Sequence, residues 1–469
     1  MNLKRMIASG LAVLTLIMPL AACRGRGEAP EHSLTVPKEI DKTPVEIPEG
    51  TDYASLAAEH LDGVGEAPAA DFTYITANGV ARITGYTGQA SAVRVPSALG
   101  GMPVTSIADG VFEGHGEIVS LILPETLAYL GEGILKNCTS LQYLECALMG
   151  ADFESAQYLG YLFGAQTHED NPRDIPPALK LVRVSGTQTE LAPYVFFDCN
   201  DLCAVILPES MQTVGKFAFY NCASMECVLG LERLVTVAEY AFADCVAFTE
   251  LRFGASLTSM GYAALLGCDG LVSVSLPFAG GTATEHTYLG YVFGAESVDF
   301  SKGYYPPRLS RVELLEGCES LGNYAFFECE SLKEVLLPEG MTTVGARAFY
   351  RCEALWSITL PDSLKTVREA AFHGCTALGE ITFGTGLTKI GANAFYQCVS
   401  LASVTLPASL KSLPSSCFAD CISLKTVRLG GVSSVGAQAF RNCTALKSVK
   451  ASGKVTFGEG NDYAEKVLK

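Results

Sequence analysis

From residue 118 onward the apolar and polar positions follow one pattern that returns every 23 residues. One unit reads Leu202-x-x-Val205-x-Leu207-Pro208-x-x-Met211-x-x-Val214-Gly215-x-x-Ala218-Phe219-x-x-Cys222. It returns in Leu332, Val335, Leu337, Pro338, Met341, Val344, Gly345, Ala348, Phe349 and Cys352, and again from Leu378 to Cys398. The first anchor falls at 118, 141, 179, 202, 225, 248, 271, 309, 332, 355, 378, 401, 424 and 446, so the step is 23 except for 38 at two places and 22 at the end. The Val-x-Leu portion has the period of two of a half-buried strand. The Pro after it has no N–H to give a ladder and closes the strand. Spacings of three and four follow, which predict a turn and a short helical or irregular return. Gly215, Gly345 and Gly391 fall where that return bends, at a backbone position that disfavours a side chain.

A 23-residue coil cannot bury its apolar side alone, so successive coils must stack. The expected fold is an α/β solenoid with a parallel sheet, equivalent positions recurring about 4.8 Å apart along it. Phe219, Phe242, Phe326, Phe349, Phe372, Phe395, Phe418 and Phe440 then form an internal ladder. Eleven of the 17 Cys stand three residues before an anchor. Side chains in register point in parallel directions, which suits free buried thiols better than S–S torsions near 90°. Cys203, Cys227 and Cys318 lie off the ladder and are candidates for a reactive thiol. No C-x-x-C occurs, and no Cys/His cluster has zinc spacing, so no metal site is expected.

The unit L-x-x-V-x-L-P-x-x-L-x-x-I-G-x-x-A-F-x-x-C resembles the BspA-like leucine-rich repeats of bacterial surface proteins, over residues 71 to 449. The resemblance implies an exported leucine-rich-repeat solenoid, in a family several of whose members are implicated in adhesion to host or neighbouring-cell proteins. It carries no particular ligand.

Residues 71–117 read as an N-terminal cap and degenerate first repeat. Tyr74 to Ile83 alternate around Asn78-Gly79, a favoured two-residue hairpin turn, and Val93-x-Val95-Pro96 supplies a first strand. The repeats proper span 118–449, and 450–469 is a C-terminal cap or tail. The two 38-residue units carry a duplicated insertion: Tyr158-Leu159-Gly160-Tyr161-Leu162-Phe163-Gly164-Ala165 recurs as Tyr288-Leu289-Gly290-Tyr291-Val292-Phe293-Gly294-Ala295. The anchors resume in phase afterwards, so the additional residues must bulge from the coil.

The N-terminus has a different character. Lys4 and Arg5 precede an apolar stretch from Met6 to Leu20, too short for an ordinary span and of the right length for an export signal. It ends in Leu20-Ala21-Ala22-Cys23, which resembles the lipobox of bacterial lipoproteins. That resemblance implies cleavage after residue 22 and a covalent diacylglycerol on Cys23, whose two acyl chains would hold the chain on a membrane; no other cofactor is implied. Residues 23–70 follow as an acidic, Pro-containing tether with one short helix near 53–61. As a coil the tether would reach about 40 Å root-mean-square.

The chain carries 33 Lys plus Arg against 50 Asp plus Glu, a net charge of −17, and loss of Lys4 and Arg5 with the signal takes it to −19. Such a surface repels phosphate backbones and excludes nucleic acid as a general partner. No catalytic motif is present, and a uniform solenoid offers no focused cleft, so an enzyme is not expected. Two features can carry binding. One is the outward row of the sheet, with Ser357, Thr359, Thr382, Thr405 and Arg428 in the later units; the same β-favouring residues also simply solvate a sheet. The other is the insertion pair, with Tyr158, Tyr161, Phe163, Tyr288, Tyr291 and Phe293, whose rings serve either an interface or the packing of an enlarged coil. The reading is a lipid-anchored extracytoplasmic protein that binds an extracellular protein or glycan, with adhesion as one form of that binding. The alternative is a structural envelope protein engaging peptidoglycan or an envelope complex.

Overall fold

The computed structural model describes residues 50–155 and 157–468. The export signal read at 1–22, the lipid-attachment residue Cys23 and the tether as far as residue 49 lie outside the described residues.

The Val-x-Leu segments form a parallel front sheet, one strand per coil. Ser357, Ile358 and Thr359 pair with Glu380, Ile381 and Thr382, a shift of one repeat. Across the long units the shift becomes 38, yet the register is unbroken: Leu144 pairs with Val182 and Val274 with Val312. The insertions therefore leave the sheet intact. Hydrogen bonding along the front sheet is continuous from Ala92–Arg94 to Cys227–Leu229 and begins afresh at Glu250–Arg252.

Except in the two long units, the return carries a second short strand, such as Thr343–Val344 against Thr366–Val367, so a second narrow parallel ribbon runs in segments beside the front sheet. The remainder of the return is a tight turn, which settles the expectation of helical or irregular segments on the irregular side. Two residues per turn, such as Phe217 and Asn221, or Arg347 and Arg351, sit at φ between 54° and 56°. A left-handed residue breaks an α-helix. Here it aims alternate N–H groups along the stack: Phe219 N donates to Ala241 O at 2.8 Å and Asn221 N to Ala243 O at 2.8 Å. The coil thus exchanges half of its intrahelical bonds for bonds to its neighbour, and each of these holds two repeats together.

Inside, the Phe ladder forms as expected. Ring centroids of Phe349, Phe372, Phe395 and Phe418 follow one another at 4.9, 5.2 and 5.1 Å, with ring planes within 6° of parallel. All sixteen Cys among the described residues are free. The ladder thiols point at the backbone of the preceding coil, Cys245 Sγ donating to Phe219 O at 3.0 Å and Cys375 Sγ to Phe349 O at 3.1 Å. Burial pushes the thiols of Cys138, Cys329 and Cys443 up to about 12. Gly215 is required for closeness rather than for an unusual backbone: a Cβ there would lie 2.6 Å from Leu191 O and 2.7 Å from Pro193 N of the coil below.

Both ends are closed. The hairpin Phe72–Ala77/Val80–Tyr86 turns at Asn78 and Gly79, both with positive φ. At the other end Asn461, fully buried, accepts from Phe440 N and donates to Gly436 O and Gly458 O, tying the helix Asp462–Lys466 over the last coil.

The short helix expected near 53–61 is present, but it is packed on the fold and does not hang in a free tether. The helix Tyr53–Ala57 and the wider turn Ala58–Asp62 lie packed on the outer face of the front sheet, with Tyr53, Ala57 and Leu61 buried. Their apolar side chains find Ile122, Tyr143, Leu181, Cys203 and Ala204 beneath them, which is why this stretch does not remain a solvated coil.

Candidate binding surface

The outward row of the front sheet takes two residues from each strand, flanking the buried Val. In the first coils these are Ser120 and Ile122, Tyr143 and Glu145, Leu181 and Arg183, and Ala204 and Ile206. This is an apolar strip, covered by residues 51–64. Beyond Cys227–Leu229 the row becomes Glu250 and Arg252, Ser273 and Ser275, Arg311 and Glu313, and then chiefly hydroxyls. Ser357 is half-buried, and Thr359, Glu380, Thr382, Ser403, Thr405, Thr426 and Arg428 are exposed. The sequence-selected Thr359 and Thr382 stand side by side in register, as do Thr405 and Arg428, with Lys450 next in line. Strand spacing of about 4.8 Å turns them into a column of regularly placed hydrogen-bonding groups.

Trp356 stands one residue before Ser357 and is 56% exposed. Sequence reasoning passed over it, although the signal was present: it is the single Trp of the chain, at a position that holds Lys333, Gly379, Ala402 and Lys425 in neighbouring coils. A large exposed indole beside a hydroxyl column is the element of this face able to contribute most contact area.

The insertions are built otherwise. Phe163 and Phe293 are interior side chains at 3% and 0% exposure, so neither is presented to a partner. Tyr158 donates its hydroxyl to Ala165 O at 3.2 Å, and Tyr288 repeats this with Ala295 O at 3.1 Å. In each insertion the first Tyr meets the second edge-on at 6.2 Å, Tyr158 against Tyr161 and Tyr288 against Tyr291. Burial raises the pKa of all four phenols. These half-buried rings brace the wall of an enlarged coil. The duplicates differ inside: Asn171 Nδ2 donates to Phe197 O at 2.7 Å in the first, whereas Tyr305 Oη donates to the equivalent Phe327 O at 3.2 Å in the second. One carbonyl is satisfied by two different side chains, because Ser301, at the place of Asn171, is too short to reach it. Next to the first insertion a groove of about 470 Å³ is lined by Met149, Phe153, Gln157, Gln188 and Glu190.

Cys203, Cys227 and Cys318, the candidate reactive thiols, all have pKa values raised by burial, which disfavours the thiolate. Among the described residues no group of three His, Cys, Asp or Glu is placed to hold a metal ion, and no helix is long and apolar enough to cross a membrane.

The repeat geometry agrees with what comparison with known proteins finds. The family model described as the BspA type leucine-rich repeat region matches residues 99–152, 178–288, 301–425 and 348–464, in six copies. The chain belongs to this family. Among solved structures it is similar to a leucine-rich cell surface protein from Faecalibacterium prausnitzii, at 22% identity over 84% of this chain and 96% of that one, with a TM-score of 0.31. A leucine-rich repeat protein from Bacteroides ovatus matches at 19% identity, 82% and 97% coverage and a TM-score of 0.31. The pneumococcal vaccine antigen PcpA matches at 17% identity, 82% and 92% coverage and a TM-score of 0.30. No curated protein matches the sequence.

Proposed function

We propose that this chain is an exported, lipid-anchored surface protein that binds an extracellular protein or glycan on the bare half of its front sheet. The anchor rests on the apolar stretch Met6 to Leu20 and the Leu20-Ala21-Ala22-Cys23 sequence, with diacylglycerol carried by the Cys23 thiol. A surface address accords with the family. The observation that carries the binding surface is the change in the outward row after Cys227–Leu229, from apolar and covered to hydroxyl-rich and open, with Trp356 exposed just before Ser357 of that row. Thr359, Thr382, Thr405 and Arg428 supply hydrogen bonds, and Trp356 supplies contact area of the kind that dominates interfaces.

The test is a glycan and extracellular-protein array probed with the chain and with its Trp356→Ala and Thr382→Glu variants. The expected result is a ligand retained by the parent and lost from both variants. Retention by peptidoglycan alone would overturn the reading in favour of an envelope-maintenance role. Replacing Cys23 by Ser is expected to abolish acyl labelling; normal labelling of that variant would remove the anchor from the proposal.

A further inference from the structure

The apolar half of the front sheet has an occupant in this chain, and the occupant's contacts define what that half accepts. Residues 51–64 run across the outer face, from Glu226 at one end to Arg94 at the other. Tyr53, Ala57 and Leu61 are spaced four apart. Four residues of an α-helix overshoot a full turn by about 40°. The second half of the strap winds in the wider π fashion, which turns less per residue and returns Leu61 to the face shared by Tyr53 and Ala57. Asp52 caps the first turn through Ala54 N.

Its polar brackets sit at the two ends. Tyr53 Oη donates to Glu226 at 2.8 Å. Arg94 donates to Leu61 O at 2.7 Å and Val64 O at 2.6 Å, satisfying carbonyls that a helix C-terminus leaves open. Arg183 pairs with Asp62 as well as with Glu145. Arg94 thus reads main-chain oxygens that any short helix presents. The strip selects by shape, requiring a hydroxyl at one end, a small residue at the centre and an aliphatic side chain followed by an acid at the other.

Two features make this contact separable from the fold. The strap and strip form a hydrophobic cluster distinct from the interior core, on the opposite side of the sheet. The strap's helical part is only ten residues long, below the length at which an isolated helix holds in water, so it is ordered by the strip rather than by itself. We propose that the apolar half of the front sheet is a docking strip for a short amphipathic helix, and that residues 51–64 are its resident plug, exchanged for a partner segment with the same four-residue spacing. This stands apart from the proposed role of the bare half, which lies beyond Cys227–Leu229.

The experiment measures fluorescence anisotropy of a labelled peptide of residues 50–67 against the full chain, against a Leu61→Asp variant that drives out the plug, and against the milder Tyr53→Phe/Asp62→Asn pair. Hydrogen exchange of the same three proteins is followed in parallel. The expected result is faster exchange confined to 51–67 in both variants. Peptide affinity should rise at least about tenfold in the Leu61→Asp chain, since the plug's occupancy divides the apparent affinity of the parent. A peptide with Asp in place of Tyr53 and Leu61 should not bind. Trp356→Ala should leave these values unchanged, so this test and that of the bare half fail separately. Exchange that spreads from the strap into the strands Ser120–Ile122 to Cys227–Leu229 would show the strap to be part of the core and overturn the proposal. Freed exchange without peptide binding to either variant would overturn it equally.

Discussion

The two halves of the front sheet have the same backbone, the same 23-residue register and the same interior, and differ in one row of side chains. From Ala92–Arg94 to Cys227–Leu229 the outward row is Ile122, Tyr143, Leu181 and Ala204, and part of the chain lies over it. From Glu250–Arg252 onward it is chiefly charged and hydroxyl-bearing, with Leu336 the apolar exception, and no helix of the described residues packs over it. One of the three interruptions in front-sheet hydrogen bonding falls at the same place; the others lie within the bare half. The solenoid interior fixes the fold by repetition, and the outward row is then free to vary and to decide what each stretch of the face touches. If that division is right, interior changes should cost the same in both halves, and outward changes should not.

The largest effect tests the first clause. Phe219 and Phe372 are both fully buried, each stacked between ladder partners at 4.9 to 5.2 Å. Removing either ring leaves a cavity that close-packed neighbours fill only partly, so Phe219→Ala and Phe372→Ala should each cost about 3–5 kcal/mol. Chemical denaturation of the two variants checks it; a difference larger than about 2 kcal/mol would mean that the plug shares in the interior.

The thiol ladder makes a second comparison, in pH. Cys138 lies in the covered half and Cys329 and Cys443 in the bare half, and burial pushes all three from an ordinary 9.0 up to about 12. Folding favours the neutral thiol, so its contribution is whole below pH 9. Above pH 9 the unfolded chain ionises first, and stability falls by about 1.4 kcal/mol per pH unit per thiol until the folded thiol ionises near pH 12. Denaturant midpoints measured from pH 8 to 11 should decline steeply, and Cys329→Ala should flatten that decline. An unchanged midpoint over this range would contradict burial of the thiols.

Outward substitutions should separate the halves. Leu181→Glu puts a carboxylate beneath the plug, at a residue with no exposure, and should cost about 2–4 kcal/mol in whole-chain stability or release the strap. Thr382→Glu occupies the matching row in the open half and should stay within about 0.5 kcal/mol of the parent. Thermal melts of the pair decide whether the outward row matters where it is covered.

Much of this was legible because repetition multiplies weak signals. A single Phe three residues before a Cys says little, but eight at one phase specify a ladder, and in-phase anchors after each insertion specify a bulge. The left-handed residue before the ladder Cys was written in the sequence in several coils, as Asn137, Asp198, Asn221, Asp244 and Asn442, types that tolerate positive φ, but not where it is Glu328, Arg351 or Gln397. The second such position holds Tyr194, Phe217, Tyr240 and Arg347, whose identities give no hint, because bonds to the neighbouring coil impose the conformation there. The plug was hidden for a different reason. The short helix at 53–61 was legible, but not its docking, because the partners of Tyr53, Ala57 and Leu61 come from parts of the chain up to about 170 residues away in sequence. The apolar outward residues Tyr143 and Leu181 were the available counterpart signal, readable only once the row they share is known.

The smallest effect concerns the insertions, one in each half. Tyr158 and Tyr288 make the same bond, hydroxyl to the carbonyl of Ala165 or Ala295, at 3.2 and 3.1 Å, and both are half-buried. Replacing either by Phe keeps the ring and its edge-on contact and removes one neutral hydrogen bond, which is expected to cost about 0.5–1.5 kcal/mol in each case. Equal losses in melting temperature, with ligand retention on the array unchanged, are what a bracing role requires. If Tyr288→Phe instead lowered retention while leaving the melt where it was, the hydroxyl would be facing a partner. The bare half would then extend from the sheet onto the second insertion, where Phe300 and Tyr304 are already exposed. The first insertion carries Asp170 and Asp174 at the equivalent places, both paired with Arg173, and its exposed ring, Phe153, lies elsewhere, on the groove. Any loss of retention is therefore expected from Tyr288→Phe and not from Tyr158→Phe, which would align the insertions with the same boundary that divides the sheet.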